Sequence, residues 1–310
     1  MNFGITLPAN KPYDAIALGL NAVDHIILAP HYPAFNTKIK LLSHDLLAGG
    51  QCASAMVALA RLGLKTRYIG KVGDDAEGRF QLLSLVEENV ESSCVKMVED
   101  AETQIAFIIV DQQSGERTIL WNRDDKLLID PDEVSQEVIQ SGRALLLDGH
   151  NVEASIRAAE YARAAGIPTI IDIDNIYDGA ERLLPLIDFL ISSSSFPERL
   201  TGEKDLRTAL KILHETMGSM FVAATLGAQG ILAYFQNEYL HVPAFAIQAV
   251  DTTGAGDAFH AGFIYGLLQG FSVEETLRTA HAVAALKCRK IGARTGLPTL
   301  DELNEFLSSN

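Results

Sequence analysis

Residues 250–270 are the segment best suited to catalysis, because small residues there come directly before an aspartate and an apolar helical run. Gly254, Ala255 and Gly256 leave room for backbone amides to converge on an anion. These amides would lie at a helix N-terminus, where unpaired donors and the helix dipole favour a phosphate. Asp257 follows in the same turn and can accept a proton from an attacking hydroxyl. The segment indicates phosphoryl transfer; the simpler alternative is a turn with Asp257 as a helix cap.

The elements that must position this segment alternate between strand-length apolar runs and helical patterns. Continuous apolar strands separated by helices are typical of a mostly parallel sheet covered on both faces. The sequence therefore predicts an α/β fold with three layers, α/β/α. Strands are predicted at 13–18, 67–72, 144–148, 168–174, 188–192, 220–225 and 231–235, and helices at 50–62, 76–88, 152–165, 205–216 and within 256–289.

Two stretches, at about 25–47 and 103–121, are strand-like without helices between them. The second contains Gln-Gln-Ser-Gly-Glu, which is typical of a turn between two β-rich runs. These stretches are predicted to form a small β-sheet lid over the site, with an edge extension of the main sheet as the alternative. No internal repeat or long linker is visible, so residues 1–310 are expected to form a single domain with the lid strands inserted.

Composition and charge limit the possible partners. The net charge of −15 would repel a duplex of like charge, so no nucleic acid partner is expected. The three cysteines are widely spaced without a zinc pattern, which favours reduced thiols. The start of the chain lacks the basic and long apolar segments of a signal peptide, and no apolar run is long enough to cross a membrane. We expect a cytoplasmic protein without a membrane partner.

The string DTTGAGDAFHAGF, at 251–263, closely resembles the C-terminal signature of the ribokinase (PfkB) family of sugar kinases. The resemblance spans nearly the whole chain and implies a ribokinase-like fold that uses ATP and Mg²⁺, with K⁺ or another monovalent cation as a further candidate. It implies that Asp257 is the catalytic base and that the Gly254–Gly256 amides form the anion hole. Asp251 would lie near a loop that supports the nucleotide and the monovalent cation.

A second segment, 46–78, resembles the N-terminal signature of the same family and implies a substrate side of the site. Gly49 and Gly50 permit close approach of a substrate and can act as a hinge. Where the family usually has Asn after or near this pair, the chain has Gln51 and Ser54, which leaves the sugar open.

Nearer the N-terminus, GLNAVDHI at 19–26 resembles the family's substrate-binding strand end, so Asn21 and Asp24 would bond to sugar hydroxyls. The alternative for Asp24 is a carboxylate that caps a turn.

The nucleotide side is implied by two further similarities. ATLGAQGILAY resembles a strand–turn–strand of the family, so Thr225, Gly227 and Gly230 would border the triphosphate or ribose. The segment 280–298 resembles the last family segment, with His281 near the adenine and Gly292 near the cation loop.

The family's Asn-x-x-Glu motif, which organises the waters of Mg²⁺, is altered in this chain. Its two positions hold Ser193 and Phe196, and Glu198 lies two residues further on. Glu198 is the candidate metal residue. A similar departure occurs in ketohexokinase-like members, which slightly favours a ketose substrate.

Three functions remain open within this resemblance: a kinase for the primary hydroxyl of a small sugar, a sugar-phosphate or nucleoside kinase, and a non-catalytic regulator that binds sugar or nucleotide. A phosphorylated substrate would need cations, for which Lys38 and Lys40 are candidates. A dinucleotide-binding dehydrogenase and a P-loop enzyme are excluded because neither glycine-rich motif is present. A lid with one apolar face also predicts a homodimer through the lid.

Overall fold

Buried strands and covering helices alternate in the computed structural model, which describes residues 1–114 and 117–310. The strands are β1 (Ala15–Leu18), β2 (Ala22–Ala29), β3 (Ser43–Gly49), β4 (Thr66–Gly73), β5 (Val95–Val98), β6 (Ile105–Asp111), β7 (Arg117–Asn122), β8 (Ala144–Leu147), β9 (Thr169–Ile173), β10 (Phe189–Ser193), β11 (Phe221–Thr225), β12 (Ile231–Phe235) and β13 (Glu238–Val242). The helices are α1 (Gln51–Arg61), α2 (Ala76–Glu87), α3 (Gln136–Ile139), α4 (Val152–Ala164), α5 (Ala180–Leu183), α6 (Phe196–Thr201), α7 (Leu206–Met217), α8 (Ala255–Gln269), α9 (Val273–Lys287) and α10 (Leu300–Ser309).

In the described chain the main sheet has nine strands in the order β13-β12-β11-β10-β9-β8-β1-β4-β5. From β5 to β11 neighbouring strands run parallel, whereas β12 and β13 pair antiparallel. Alternate side chains of β1 pack on opposite faces of the main sheet. Ala15 lies in the core with α1 and α8, and Ile16 lies in the core on the other face with α4. Both faces of the sheet are therefore covered, which confirms the predicted three-layer architecture.

A second sheet, here called the lid sheet, has the order β3-β2-β6-β7 in the described residues. Its central strands β2 and β6 run parallel, and the outer pairs are antiparallel. The predicted lid is therefore separate from the main sheet. Within 25–47 the chain is not continuously extended, because residues 30–42, with exposed Lys38 and Lys40, connect β2 to β3. Of the predicted 112–116 turn, Gly115 and Glu116 lie outside the described residues.

Each parallel strand ends at the same edge of the main sheet, and ligands of open α/β sheets bind at that edge. Asn21 follows β1, Asp148 follows β8, and Asp172 lies near the end of β9. The lid strand β2 begins directly after Asn21, so the lid sheet and the main sheet meet at this edge. Within the described residues, no helix has the length and apolar character needed to cross a membrane.

Candidate active site

The N-terminus of α8 is built on a glycine that no other residue could easily replace. Gly254 is the cap residue with φ 75°, and a Cβ there would lie 2.8 Å from the Cα of Ala293. A Cβ on Gly256, in the first turn, would meet open space outside its chain neighbours and the backbone of its own helix. First-turn amides lack helical partners, so this open end can receive an anion.

The loop before α8 is tied to the segment after α9. The Asp251 carboxylate accepts hydrogen bonds from the amides of Thr253 at 2.9 Å and Gly292 at 2.7 Å. Burial opposes the charge of Asp251, but these amide hydrogen bonds lower its pKa. The structure thus brings predicted residues Asp251 and Gly292 together with the predicted anion hole.

Asp257 lies in the first turn of α8 and is only 9% exposed. Burial raises its pKa well above the ordinary range, and the nearby Asp172 carboxylate raises it further, while His260 opposes both effects. His260 Nδ1 lies 3.3 Å from the Asp172 carboxylate, and burial lowers the pKa of this imidazole. A carboxylate with a raised pKa is a stronger proton acceptor, as a general base requires.

The glycine pair before α1 lets the β1–β2 segment pack against it. A Cβ on Gly49 would overlap the Asp24 carboxylate, and a Cβ on Gly50 would overlap the Cα of Asn21. Asp24 is 6% exposed, and burial raises its pKa to about 7, opposed by Arg294. The structure therefore gathers the predicted substrate residues Asn21, Asp24, Gly49 and Gly50 into one cluster.

The two residues found where the family usually has Asn near the glycine pair, Gln51 and Ser54, have different surroundings. The Gln51 side-chain oxygen lies 2.8 Å from Nε2 of His150, whose ring also contacts the Tyr177 hydroxyl at 3.2 Å. Ser54 is fully buried, and its hydroxyl accepts a hydrogen bond from Arg294 Nε at 3.1 Å. Gln51 is therefore half-buried and near other polar groups, whereas Ser54 supports a cation.

Two buried cations in this region, Arg294 and Lys287, belong to a basic cluster at 287–294, for which the sequence leaves phosphate contact and a helix C-terminus as equal alternatives. Arg294 donates to Ser54, to Ser84 Oγ at 3.0 Å and to the Gly49 carbonyl at 2.6 Å. Burial lowers its pKa to about 10, so it remains charged at neutral pH. Lys287 is fully buried, and its ammonium donates to the Asp251 carbonyl at 2.8 Å. Both cations lie close enough to Asp257 to favour its charged form.

The predicted nucleotide residues are more dispersed. Thr225 ends β11 and donates to the Ser192 carbonyl at 3.3 Å, and Gly227 has φ 57° with open space around it. Gly230 is buried, and a Cβ there would overlap the backbone of β13. His281 is 5% exposed beside Phe259, and burial lowers its pKa to about 4. Thr225 and Gly227 can face a ligand, whereas Gly230 and His281 pack inside the protein.

The altered metal motif does not form a group of ligands in the structure. Phe196 is fully buried in the core, and Glu198 is exposed on α6. Among the described side chains, no group of three or more His, Cys, Asp or Glu residues could hold a metal ion. The role of Glu198 stays a prediction.

The lid sheet contacts the loops around the anion hole. Arg117 of β7 donates to Thr252 Oγ1 at 2.7 Å, in the loop before α8. A Cβ on Gly292 would overlap the Leu47 side chain of β3. The lid sheet therefore contacts the loops on both sides of the anion hole.

Comparisons with known proteins identify the family and the fold of this chain. A model of the pfkB family of carbohydrate kinases matches residues 17–300. The ribokinase of Haemophilus influenzae is 29% identical over 297 residues, covering 94% of this chain and 97% of the relative. A nucleoside kinase of Methanothermobacter thermautotrophicus is 29% identical over 296 residues, covering 93% and 94%. The structure of Arabidopsis thaliana ribokinase, complexed with ribose and ATP, has a TM-score of 0.82 at 25% identity, covering 95% and 98%.

Proposed function

This chain belongs to the PfkB family of carbohydrate kinases, and from that premise we propose that it phosphorylates a primary hydroxyl of a small sugar with ATP. The observation that carries the proposal is the buried Asp257 in the first turn of α8, next to the Gly254 and Gly256 amides at the helix N-terminus. This arrangement joins a proton acceptor to an anion site, which are the two groups that phosphoryl transfer to an alcohol requires.

In the proposed reaction, the sugar hydroxyl is held by Asp24 and loses its proton to the Asp257 carboxylate. The oxygen forms a bond to the γ-phosphorus as the bond to the bridging oxygen of ADP breaks. The α8 amides stabilise the charge on the transferred group. Thr225 and Gly227 would border the nucleotide, and Lys287 and Arg294 supply nearby positive charge.

Mg²⁺ would enter with the ATP phosphates and neutralise part of their charge. The residues present do not fit a dedicated metal cage, because Phe196 is apolar and Glu198 is exposed. Mg²⁺ is usually held by substrate phosphates, waters and one or two carboxylates, so such a cage is not required. No step of the proposal depends on a protein ligand to the metal.

A homodimer through the lid sheet is part of the proposal. Leu46, Phe107 and Leu120 are 41%, 38% and 55% exposed. Strand pairing places them on one face with His25, because His25 pairs with Leu46 and Phe107, and Phe107 pairs with Leu120. A second copy could cover this apolar face. We also propose that residues 1–310 act as one domain in the cytoplasm.

The test is ADP release with MgATP across ribose, fructose, tagatose, fructose 6-phosphate, 2-keto-3-deoxygluconate, adenosine and inosine. We expect turnover with a neutral sugar, and a fall in kcat of about 10²–10⁴-fold in Asp257→Asn. Asp301→Asn is the matched control, because Asp301 also lies in the first turn of a helix but is exposed. Full activity in Asp257→Asn would reject Asp257 as the base.

A non-catalytic regulator is the second candidate, favoured by Ser193 and Phe196 in place of the metal motif. It predicts saturable binding of a sugar or nucleotide without ADP release.

A further inference from the structure

A small polar cavity lies beside the proposed sugar site. Its volume of about 10 Å³ has room for about one water-sized group. The lining includes Asn21 after β1, Lys71 of β4, Gln104 before β6, Arg123 after β7 and Asn151 before α4. The cavity is therefore formed where the lid sheet joins the main sheet.

Three amide side chains of the lining each have a buried atom without a hydrogen-bond partner: Asn21 Oδ1, Gln104 Oε1 and Asn151 Nδ2. These residues are 4%, 7% and 3% exposed. An unsatisfied buried polar atom costs about 1–3 kcal/mol. Three of them around one cavity indicate a site that is completed by a bound group.

The orientation of two of these amides is fixed by their other hydrogen bonds. Asn21 Nδ2 donates to the Lys71 carbonyl at 2.9 Å, so its Oδ1 is the atom left over. Asn151 Oδ1 accepts from the Ile129 amide and from Arg123, both at 3.0 Å, so its Nδ2 is left over. The unpartnered set therefore contains acceptors from Asn21 and Gln104 and a donor from Asn151.

The group that satisfies this set must both donate and accept hydrogen bonds, as a hydroxyl does. A carboxylate or a phosphate dianion offers acceptors only and would leave Asn21 Oδ1 and Gln104 Oε1 unsatisfied. The nearby cations have partners already: Lys71 lies 2.6 Å from the Glu133 carboxylate, and Arg123 donates to Asn151 and to the carbonyls of His150 and Leu127. The cavity chemistry thus favours a neutral oxygen over an anion.

The cavity is also adjacent to the residues proposed to bind the sugar, because Asn21 packs directly on Gly50. We propose that Asn21, Gln104 and Asn151 form a subsite for a neutral substrate hydroxyl other than the one that Asp257 deprotonates. This inference rests on the proposed function and narrows it: at this position the substrate carries a neutral hydroxyl and no acidic group.

The test is equilibrium binding by titration calorimetry on the full chain, which does not depend on turnover. The probes are D-ribose, D-fructose and adenosine, each with its single-deoxy analogues, and fructose 6-phosphate. For the best-bound probe, we expect one deoxy analogue to bind at least about tenfold more weakly than the parent, because this analogue leaves buried polar atoms unpaired. Gln104→Met should abolish the preference for the parent over this one analogue and leave the affinity differences for the other analogues unchanged.

A second variant, Asn151→Asp, keeps the oxygen that bonds Ile129 and Arg123 but removes the donor, and should have the same selective effect. Thr66→Val is the control, since it removes a buried unpartnered hydroxyl at the opposite end of β4. Equal weakening of all analogues by both cavity variants would overturn the subsite, as would a best-bound probe for which no single deoxy analogue binds selectively more weakly. Selective sugar binding without ADP release would instead support the subsite and refute the kinase.

Discussion

Replacement of Asp24 by Asn should make the protein more stable at alkaline pH and bind sugar less well. The Asp24 carboxyl is 6% exposed, and burial is the main cause that raises its pKa to about 7, from its ordinary value of 3.8. Arg294 lowers this pKa and Asp251 raises it, but neither outweighs the loss of hydration. The ionised form of Asp24 therefore lowers the free energy of unfolding.

The sign and size of the effect follow from linkage. The unfolded chain releases this proton near pH 3.8, whereas the folded chain retains it to about pH 7. Between these values the folded state binds more protons, so the free energy of unfolding falls as pH rises. At 1.36 kcal/mol for each pH unit, the full loss is about 4 kcal/mol above pH 7. Asn cannot ionise, so Asp24→Asn should be more stable than the native chain by up to about 4 kcal/mol at pH 8.

Urea denaturation of both proteins at pH 4.5, 6 and 8 measures this difference. The gain should be small at pH 4.5 and grow through pH 6 to pH 8. Asp205→Asn is the control: Asp205 is exposed, and its hydrogen bonds with Thr208 lower its pKa, so its replacement should give no gain at pH 8. Loss of stability in Asp24→Asn at pH 8, or a gain that is the same at all three values, would refute the reasoning. Sugar affinity should fall in the same variant, because a charged acceptor for hydroxyls is lost.

Three further results are expected. Gly254→Ala should destabilise the fold by about 1–3 kcal/mol in urea titrations, because Gly254 has φ 75°, while Gly256→Ala should leave stability unchanged and weaken ATP binding. Replacing K⁺ by tetramethylammonium should change kcat/KM by less than about twofold, because the Lys287 ammonium already lies at the Asp251 carbonyl; a larger loss would contradict this. Phe107→Lys should give monomers in sedimentation velocity, since a charge cannot be buried cheaply in an apolar interface; dimers that persist would exclude this face of the lid sheet.

The layered fold could be predicted because its strands are buried on both faces. Runs such as 144–148 and 220–225 are apolar throughout, which is typical of the centre of a parallel sheet. The elements that the sequence did not indicate include β5 and β13, which are short strands with exposed polar residues at the two edges of the main sheet. Their formation depends on the neighbours they pack against rather than on their own pattern.

The candidate site also contains some residues that the sequence predicts and others that it does not. Asp257 and the glycines beside it are predictable because cap, turn and carboxylate follow each other in the chain. Asp172 and His260 meet across 88 positions, and only the fold sets their distance. Local sequence carries no signal for such a pair, although the end of a parallel strand is a place where polar residues gather.

Ser54 shows why a departure from a family pattern cannot be interpreted from sequence alone. At a position expected to contact sugar, its buried hydroxyl instead accepts from Arg294, which also binds the Gly49 carbonyl at the end of the lid strand β3. A guanidinium that is buried and charged needs such partners, because its desolvation is costly. Ser54 therefore helps to hold the cation beside Asp24, and through it the Gly49 carbonyl.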